Sequence, residues 1–213
     1  MRILAITPIR VTDDELVRRQ ERYDRLAPAG VQVHLDNLAD SPDAPRALDT
    51  AEQVAASETL LAAQFSTADP SRYDALLPDC VLDPLVGGNH HLPLPLHGIS
   101  RLTAHHLTGL GGRIGAVARN GAIADELDRK LASYGIVTTA PTAVMDLSFD
   151  AIADDAVWAE AVDATISHLD LDAVINACSA VDVSAHGSGP RLVDPTRLAL
   201  ELLGLHAHRA ASV

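Results

Sequence analysis

Asp74-Ala-Leu-Leu-Pro-Asp-Cys80 and Asp172-Ala-Val-Ile-Asn-Ala-Cys178 are one pattern written twice, and each copy holds one of the chain's two cysteines. In both, an Asp-Ala-aliphatic-aliphatic run reads as a short buried strand. The cysteine follows the aspartate by six residues, at the strand's C-terminal end, which is where open α/β sheets place their chemistry. The duplication extends further. Arg2-Ile-Leu-Ala-Ile6 matches Arg113-Ile-Gly-Ala-Val117, Pro93-Leu-Pro-Leu-His97 aligns with Pro190-Arg-Leu-Val-Asp194, and Ser100-Arg-Leu-Thr-Ala-His-His-Leu107 aligns with Thr196-Arg-Leu-Ala-Leu-Glu-Leu-Leu203. Four matches in one order imply a repeat of about half the chain. That is longer than the roughly 20–50 residues of solenoid repeats, so the chain reads as two pseudo-equivalent α/β units.

Local patterns support that reading. Strands are expected at Arg2–Ile6, Val31–Leu35, Tyr73–Leu77, Arg113–Val117, Ile136–Thr139, Asp172–Ile175 and Arg191–Val193, with Pro93–Leu96 as a short extended edge segment because proline cannot donate to a ladder. Helices are expected from Thr12, as N-cap, to Leu26, from Ala47 to Gln64, Gly98 to Leu110, Ala122 to Tyr134, Asp154 to Leu169, and Thr196 to about His206. Loops rich in glycine and proline separate them, Gly187-Ser-Gly-Pro190 among them. The repeat assigns residues 1–96 together with 196–213 to one unit and 97–195 to the other. The helices after His97 and Asp194 then cross between the halves.

Composition narrows the function. At 213 residues and 47% hydrophobic the chain can bury a proper core, and with 3% aromatics that core must be aliphatic. A formal net charge of −13, with no local cluster of Lys and Arg, argues against nucleic acid as a partner. No apolar run approaches the ~20 residues of a membrane span, and Met1-Arg-Ile-Leu-Ala-Ile6 opens on a strand, so a cytoplasmic protein with no membrane partner is expected. Two cysteines in that setting are free thiols before they are a disulfide.

A lone cysteine is usually a small buried hydrophobe. Two at equivalent places in two repeats point to a shared site with a sulfur on each side. A thiol at the mouth of a parallel strand can act as acid, base or nucleophile. A pair facing each other across one carbon suits 1,1-proton transfer, in which one thiolate removes a proton and the opposite thiol returns one. That scheme needs no cofactor or metal, and the chain has no GxGxxG, GxxxxGK[ST] or Cys-x-x-Cys motif. The ten histidines fit no metal-ligand spacing. His97 and Asp194 stand at equivalent strand ends, from which each could approach the site.

The two-cysteine layout resembles the aspartate/glutamate racemase superfamily, most of all its hydantoin racemase branch, over nearly the whole chain. The matching segments are Arg2–Pro8, Cys80-Val-Leu-Asp83-Pro84, Val174-Ile-Asn-Ala-Cys178-Ser179 and Leu192-Val-Asp194-Pro195. The resemblance implies two Rossmann-like (flavodoxin-like) parallel-sheet units with the active site between them, and Cys80 and Cys178 as the catalytic bases. It places Thr7, Pro8, Val81, Asp83, Asn120 and Ser179 on the substrate. Two departures bear on what is bound: Thr7-Pro8-Ile9 replaces an Asn-Pro-Asn-type loop, and Ala118-Arg119-Asn120 replaces threonines after the second unit's first strand. Arg119 and its counterpart Arg10 are the side chains that could clamp a carboxylate.

The expected function is a cofactor-independent racemase or epimerase acting on a small carbonyl compound, either hydantoin-like or an amino or carboxylic acid. A decarboxylase or cis–trans isomerase of the same superfamily, and a non-catalytic binder of small ligands on the same fold, are the alternatives. The sequence leaves open whether the protein is a homo-oligomer.

Overall fold

The computed structural model describes residues 1–148, 154–183 and 189–210. In those residues the chain runs β1 (Arg2–Ile6), α1 (Asp13–Leu26), β2 (Gln32–Asp36), α2 (Ala51–Phe65), β3 (Ala75–Pro78), α3 (Ile99–Gly109), β4 (Ile114–Ala118), α4 (Gly121–Ser133), β5 (Ala143–Val144), α5 (Asp155–Ile166), β6 (Ala173–Asn176), β7 (Arg191–Val193) and α6 (Pro195–Ala210).

These elements form an α/β fold with two all-parallel sheets, ordered β2-β1-β3 and β5-β4-β6-β7. A single parallel bridge, Leu76 to Leu96, lies beside β3 where β7 lies beside β6. It stays a bridge because Pro93 and Pro95 have no N–H to extend a ladder. The halves therefore correspond strand for strand, and the repeat reaches individual bonds. The backbone N–H of Arg2 donates to Asp74 Oδ2 at 2.7 Å, and that of Arg113 to Asp172 Oδ2 at 2.7 Å.

Alternation along the strands sorts the core. Ile3, Ala5 and Leu77 of the first sheet share one apolar cluster with Ile114, Ala116 and Ile175 of the second, and α1, α3, α4 and α6 pack into it. The opposite faces carry Leu4, Ile6 and Leu76 under Leu61 and Phe65 of α2, and Val117 and Val174 under Trp158, Val162 and Ile166 of α5. Burial on both faces is why these strands read as continuous aliphatic runs.

Helix ends follow side-chain chemistry. Thr12 caps α1 by accepting from the Glu15 N–H, and Asp13, Asp14 and Glu15 place negative charge at the helix's positive end. The second helix begins at Ala51 and not at Ala47, because Thr50 and Gln53 form a reciprocal capping box. Residues 46–49 are thereby left to another use. The β-branched run Ile136–Thr139 is not a strand. Thr139 gives one N–H to the Ile114 carbonyl, but ladder pairing with β4 is made by Ala143 and Val144. Of the Gly187-Ser-Gly-Pro190 loop, residues 187 and 188 lie outside the described residues. No helix among those described is long and apolar enough to cross a membrane.

Candidate active site

Each cysteine sits in the first turn after a parallel strand, Cys80 after β3 and Cys178 after β6. The Cys80 N–H donates to the Pro78 carbonyl at 2.8 Å, and the Cys178 N–H to the Asn176 carbonyl at 2.8 Å. Each sulfur then accepts the N–H two residues ahead, from Leu82 at 3.4 Å and from Ala180. Both thiols are free, Cys80 buried and Cys178 partly exposed. They open onto one cleft of about 490 Å³ between the two sheets.

The turns are bonded to each other. Ser179, next to Cys178, donates its hydroxyl to the carbonyl of Asp79, next to Cys80, at 3.0 Å. Helix α1 then reaches both. Arg19 donates to Asp79 Oδ2 at 3.1 Å and to Glu15 at 2.7 Å, while Tyr23 donates to Asp79 Oδ1 at 2.9 Å. Arg22, one turn on, pairs with Asp182 at 3.0 Å and Asp194 at 2.6 Å, on the Cys178 side.

Of the side chains singled out from the sequence, the cleft brings together Pro8, Cys80, Val81, Arg119, Cys178 and Ser179. Thr7, Arg10, Asp83 and Asn120 do not line it, because their polar atoms serve the protein. The Thr7 hydroxyl accepts from the Leu38 N–H at 2.9 Å, and Arg10 donates to the Leu38 carbonyl at 3.0 Å. Asp83 caps α3, accepting N–H groups from Ser100 at 3.0 Å and Arg101 at 2.7 Å. A Cβ at Gly98 would collide with that carboxylate, so glycine is required where α3 starts. Asn120 caps α4 by accepting from the Ile123 N–H at 2.9 Å. His97 and Asp194 are also outside the lining: Asp194 caps α6 and holds Arg22.

Arg19, Asp79, Leu48 and Ile123 line the cleft and were not foreseen. Arg19, Arg22, Tyr23 and Leu26 do recur at three- and four-residue spacing, which puts them on one helix face. That spacing was the available signal, hidden because charges fill the positions where an apolar stripe is expected.

Electrostatics separate the thiols. Burial pushes the Cys80 thiol well above the ordinary cysteine range, and the charges of Asp79 and Asp83 push it further. Burial also raises Cys178, but Arg19 and Arg22 pull it back. Asp83 itself is raised by burial to about 6, against the N–H groups of Arg101 and Ser100 that favour its charged form. Among the described residues no three His, Cys, Asp or Glu side chains converge as a metal site.

With both thiols in one inter-sheet cleft, the architecture is that of a two-unit α/β protein with a pseudo-symmetric pair of cysteines. Residues 15–203 match the Asp/Glu/Hydantoin racemase family, and the chain belongs to it. No curated protein matches it by sequence. Among solved structures it is similar to the allantoin racemases of Pseudomonas fluorescens and Klebsiella pneumoniae. The first is 13% identical with a TM-score of 0.78, covering 99% of this chain and 92% of that one. The second is 14% identical with a TM-score of 0.76, covering 99% and 89%. The aspartate racemase of Picrophilus torridus is 15% identical with a TM-score of 0.67, covering 97% and 94%. At these identities the likeness is one of fold.

Proposed function

We propose that the protein is a cofactor-independent racemase or epimerase using Cys80 and Cys178 as paired bases on a small carbonyl compound with an acidic Cα–H. One observation carries the reading. The Ser179–Asp79 bond ties the two cysteine turns together, so the sulfurs flank one cleft at pseudo-equivalent positions. In each turnover the thiolate on one side takes the Cα proton and becomes a thiol. The enolate that forms is then protonated from the opposite face by the other thiol, which becomes the thiolate. The next turnover of the product runs in reverse. Both thiols are raised above their ordinary range, so the reactive thiolate fraction, and with it kcat/KM, rises with pH through neutrality into the alkaline range.

Membership of the racemase family supports this assignment. The test is deuterium incorporation from D2O into each enantiomer of a substrate panel of hydantoins, amino acids and substituted carboxylic acids. Replacing either cysteine by serine is expected to abolish racemisation. Each variant should keep exchange of only the enantiomer whose proton faces the surviving thiol. Full racemisation by either variant rules out the two-base scheme, and loss of a carboxyl group without exchange of a stable Cα–H would assign a decarboxylase.

A further inference from the structure

Two guanidinium groups line the cleft, and the protein treats them differently. Arg19 is locked between Glu15 and Asp79, whose side chains are 24% and 1% exposed. Displacing either carboxylate would strand a buried charge. Arg119, 5% exposed, is held by Asp49, whose side chain is 46% exposed. That carboxylate can be exchanged for another at little cost, since its hydration is largely intact in the bound state.

The donors around Asp49 are arranged for a carboxylate. Arg119 Nη2 at 2.5 Å and Asn120 Nδ2 at 2.9 Å converge on the same oxygen, Oδ1. Asn120 has no choice of orientation: its own oxygen caps α4, so its amide N–H groups must face Asp49. The 13-residue helix α4 begins at the next residue, Gly121, and aims its positive end at the same corner. The occupant comes from the other half. Asp49 follows Leu48, which itself lines the cleft, in the segment that the Thr50–Gln53 capping box excludes from α2.

We infer that Arg119, on the cleft wall, and Asn120, just behind that wall, form a carboxylate corner beside the cleft, that Asp49 fills it in the free protein as an internal competitor, and that the ligand is a monocarboxylate bearing an apolar substituent. This rests on the racemase reading for the cleft's role. The substituent follows from the remaining walls, where Ile9, Leu48, Val81, Leu82 and Ile123 offer aliphatic surface. One negative charge is the limit, because Arg19 is already neutralised and Asp79 repels a second carboxylate. Substrate entry therefore exchanges one carboxylate for another on Arg119 and releases the Leu48–Asp49 segment from the second half.

Calorimetric titration with 2-methylbutanoate, its uncharged amide 2-methylbutanamide, and 5-isopropylhydantoin tests this on the full chain. The wild type should bind the carboxylate in preference to both neutral probes. Asp49→Asn, which keeps a neutral acceptor for the buried Arg119 and whose folding is checked by thermal unfolding, should tighten the carboxylate about tenfold and leave the neutral probes unmoved, as expected for removal of a charge-assisted competitor. Arg119→Gln should weaken the carboxylate by a similar factor. Unchanged or weaker carboxylate binding by Asp49→Asn overturns the inference, as does preferential binding of the hydantoin or no binding of any probe by the wild type. The racemase reading fails separately: if Asp49→Asn tightens the carboxylate but no substrate exchanges its Cα–H in D2O, the corner stands and the catalytic assignment falls.

Discussion

The turns that carry Cys80 and Cys178 share their hydrogen bonds at the cysteine and differ in charge. Both place the cysteine N–H on a carbonyl two residues back at 2.8 Å. Where the first turn has Asp79 and Asp83, the second has Ala177 and Val181. Where Cys80 feels those two carboxylates, Cys178 feels Arg19 and Arg22 of α1 ahead of Asp79. The duplication thus supplies the geometry of a symmetric site, and a few unshared residues make its chemistry unequal. Cys178 is the easier thiol to ionise, and Cys80 the one that holds its proton. Breaking the unshared contacts should hurt one turn and spare the other, while breaking shared contacts should hurt both alike.

The largest expected effect is at Asp79. Replacing it with alanine leaves Arg19 in the interior with Glu15 alone and removes the acceptor of the buried Tyr23 hydroxyl. Breaking one partner of a buried pair costs about 3–5 kcal/mol, and urea denaturation should show a loss of that size. Asp79→Asn, which keeps a polar acceptor for Tyr23, should lose less. A loss below about 1 kcal/mol for the alanine variant would mean that the pair does not hold the first turn.

Asp83 gives the next largest difference, and it depends on pH. Its folded pKa of about 6 lies above the unfolded value of about 3.9. The native state therefore binds that proton more tightly than the unfolded chain does. This contribution to stability is whole below pH ~4 and is lost as pH rises through about 6. Relative to Asp83→Asn, the wild type should lose roughly 2 kcal/mol between pH 4 and 7, read from urea unfolding across that range. Asparagine suits the backbone because Asp83 has φ of 48°, a left-handed conformation that asparagine tolerates, and its NH2, which cannot accept the second helix N–H, costs the variant an amount that does not vary with pH. Val181 has nothing to titrate, so a constant difference between the two proteins across that range would contradict the contrast drawn between the turns.

Much of the fold was legible because each unit repeats its own evidence. The aliphatic runs ending in cysteine were both strands, Thr12 was the cap expected of it, and both thiols reach one cleft. Local propensity misled where longer-range or capping contacts decide. Ile136–Thr139 has the β-branched composition of a strand, yet pairing with β4 waits for Ala143. Ala47 is a better helix former than its neighbours, yet the capping box at Thr50 sets the start of α2. In the site, residues that repeat were easier to find than residues that do not. Arg19 and Asp79 have no counterpart in the other unit, and Asp49 reaches Arg119 across 70 residues of sequence.

The thiols themselves should differ by a smaller margin. Cys178 is partly exposed and lies beside Arg19 and Arg22, whereas Cys80 is buried among carboxylates. At pH 8, iodoacetamide should therefore alkylate Cys178 faster than Cys80 by at least roughly tenfold, followed by mass spectrometry of the two cysteine peptides. Arg22→Gln should slow Cys178 and leave Cys80 unaffected. Equal rates at the two sites would remove the electrostatic contrast between the two turns.

The smallest effect should fall where the halves agree. Arg2 and Asp74 clip β1 to β3, and Arg113 and Asp172 clip β4 to β6, through matched bonds: 2.7 Å from each backbone N–H, and 3.0 and 3.2 Å between the charged groups. Both pairs are largely exposed, where solvent screens the attraction and little stability is gained. The partner arginine holds each aspartate below the usual carboxylate range, chiefly by hydrogen bonding. A lowered pKa in the folded state contributes stability above the unfolded value and loses it as pH falls. Asp74→Asn and Asp172→Asn should accordingly lower the thermal midpoint by small amounts at pH 7, the second by no more than the first because Arg113 keeps its ion pair with Asp170, and by less at pH 3, where the wild-type carboxylates begin to protonate. A clearly larger loss for Asp172→Asn at pH 7 would show that the second strand clip carries more than these shared bonds.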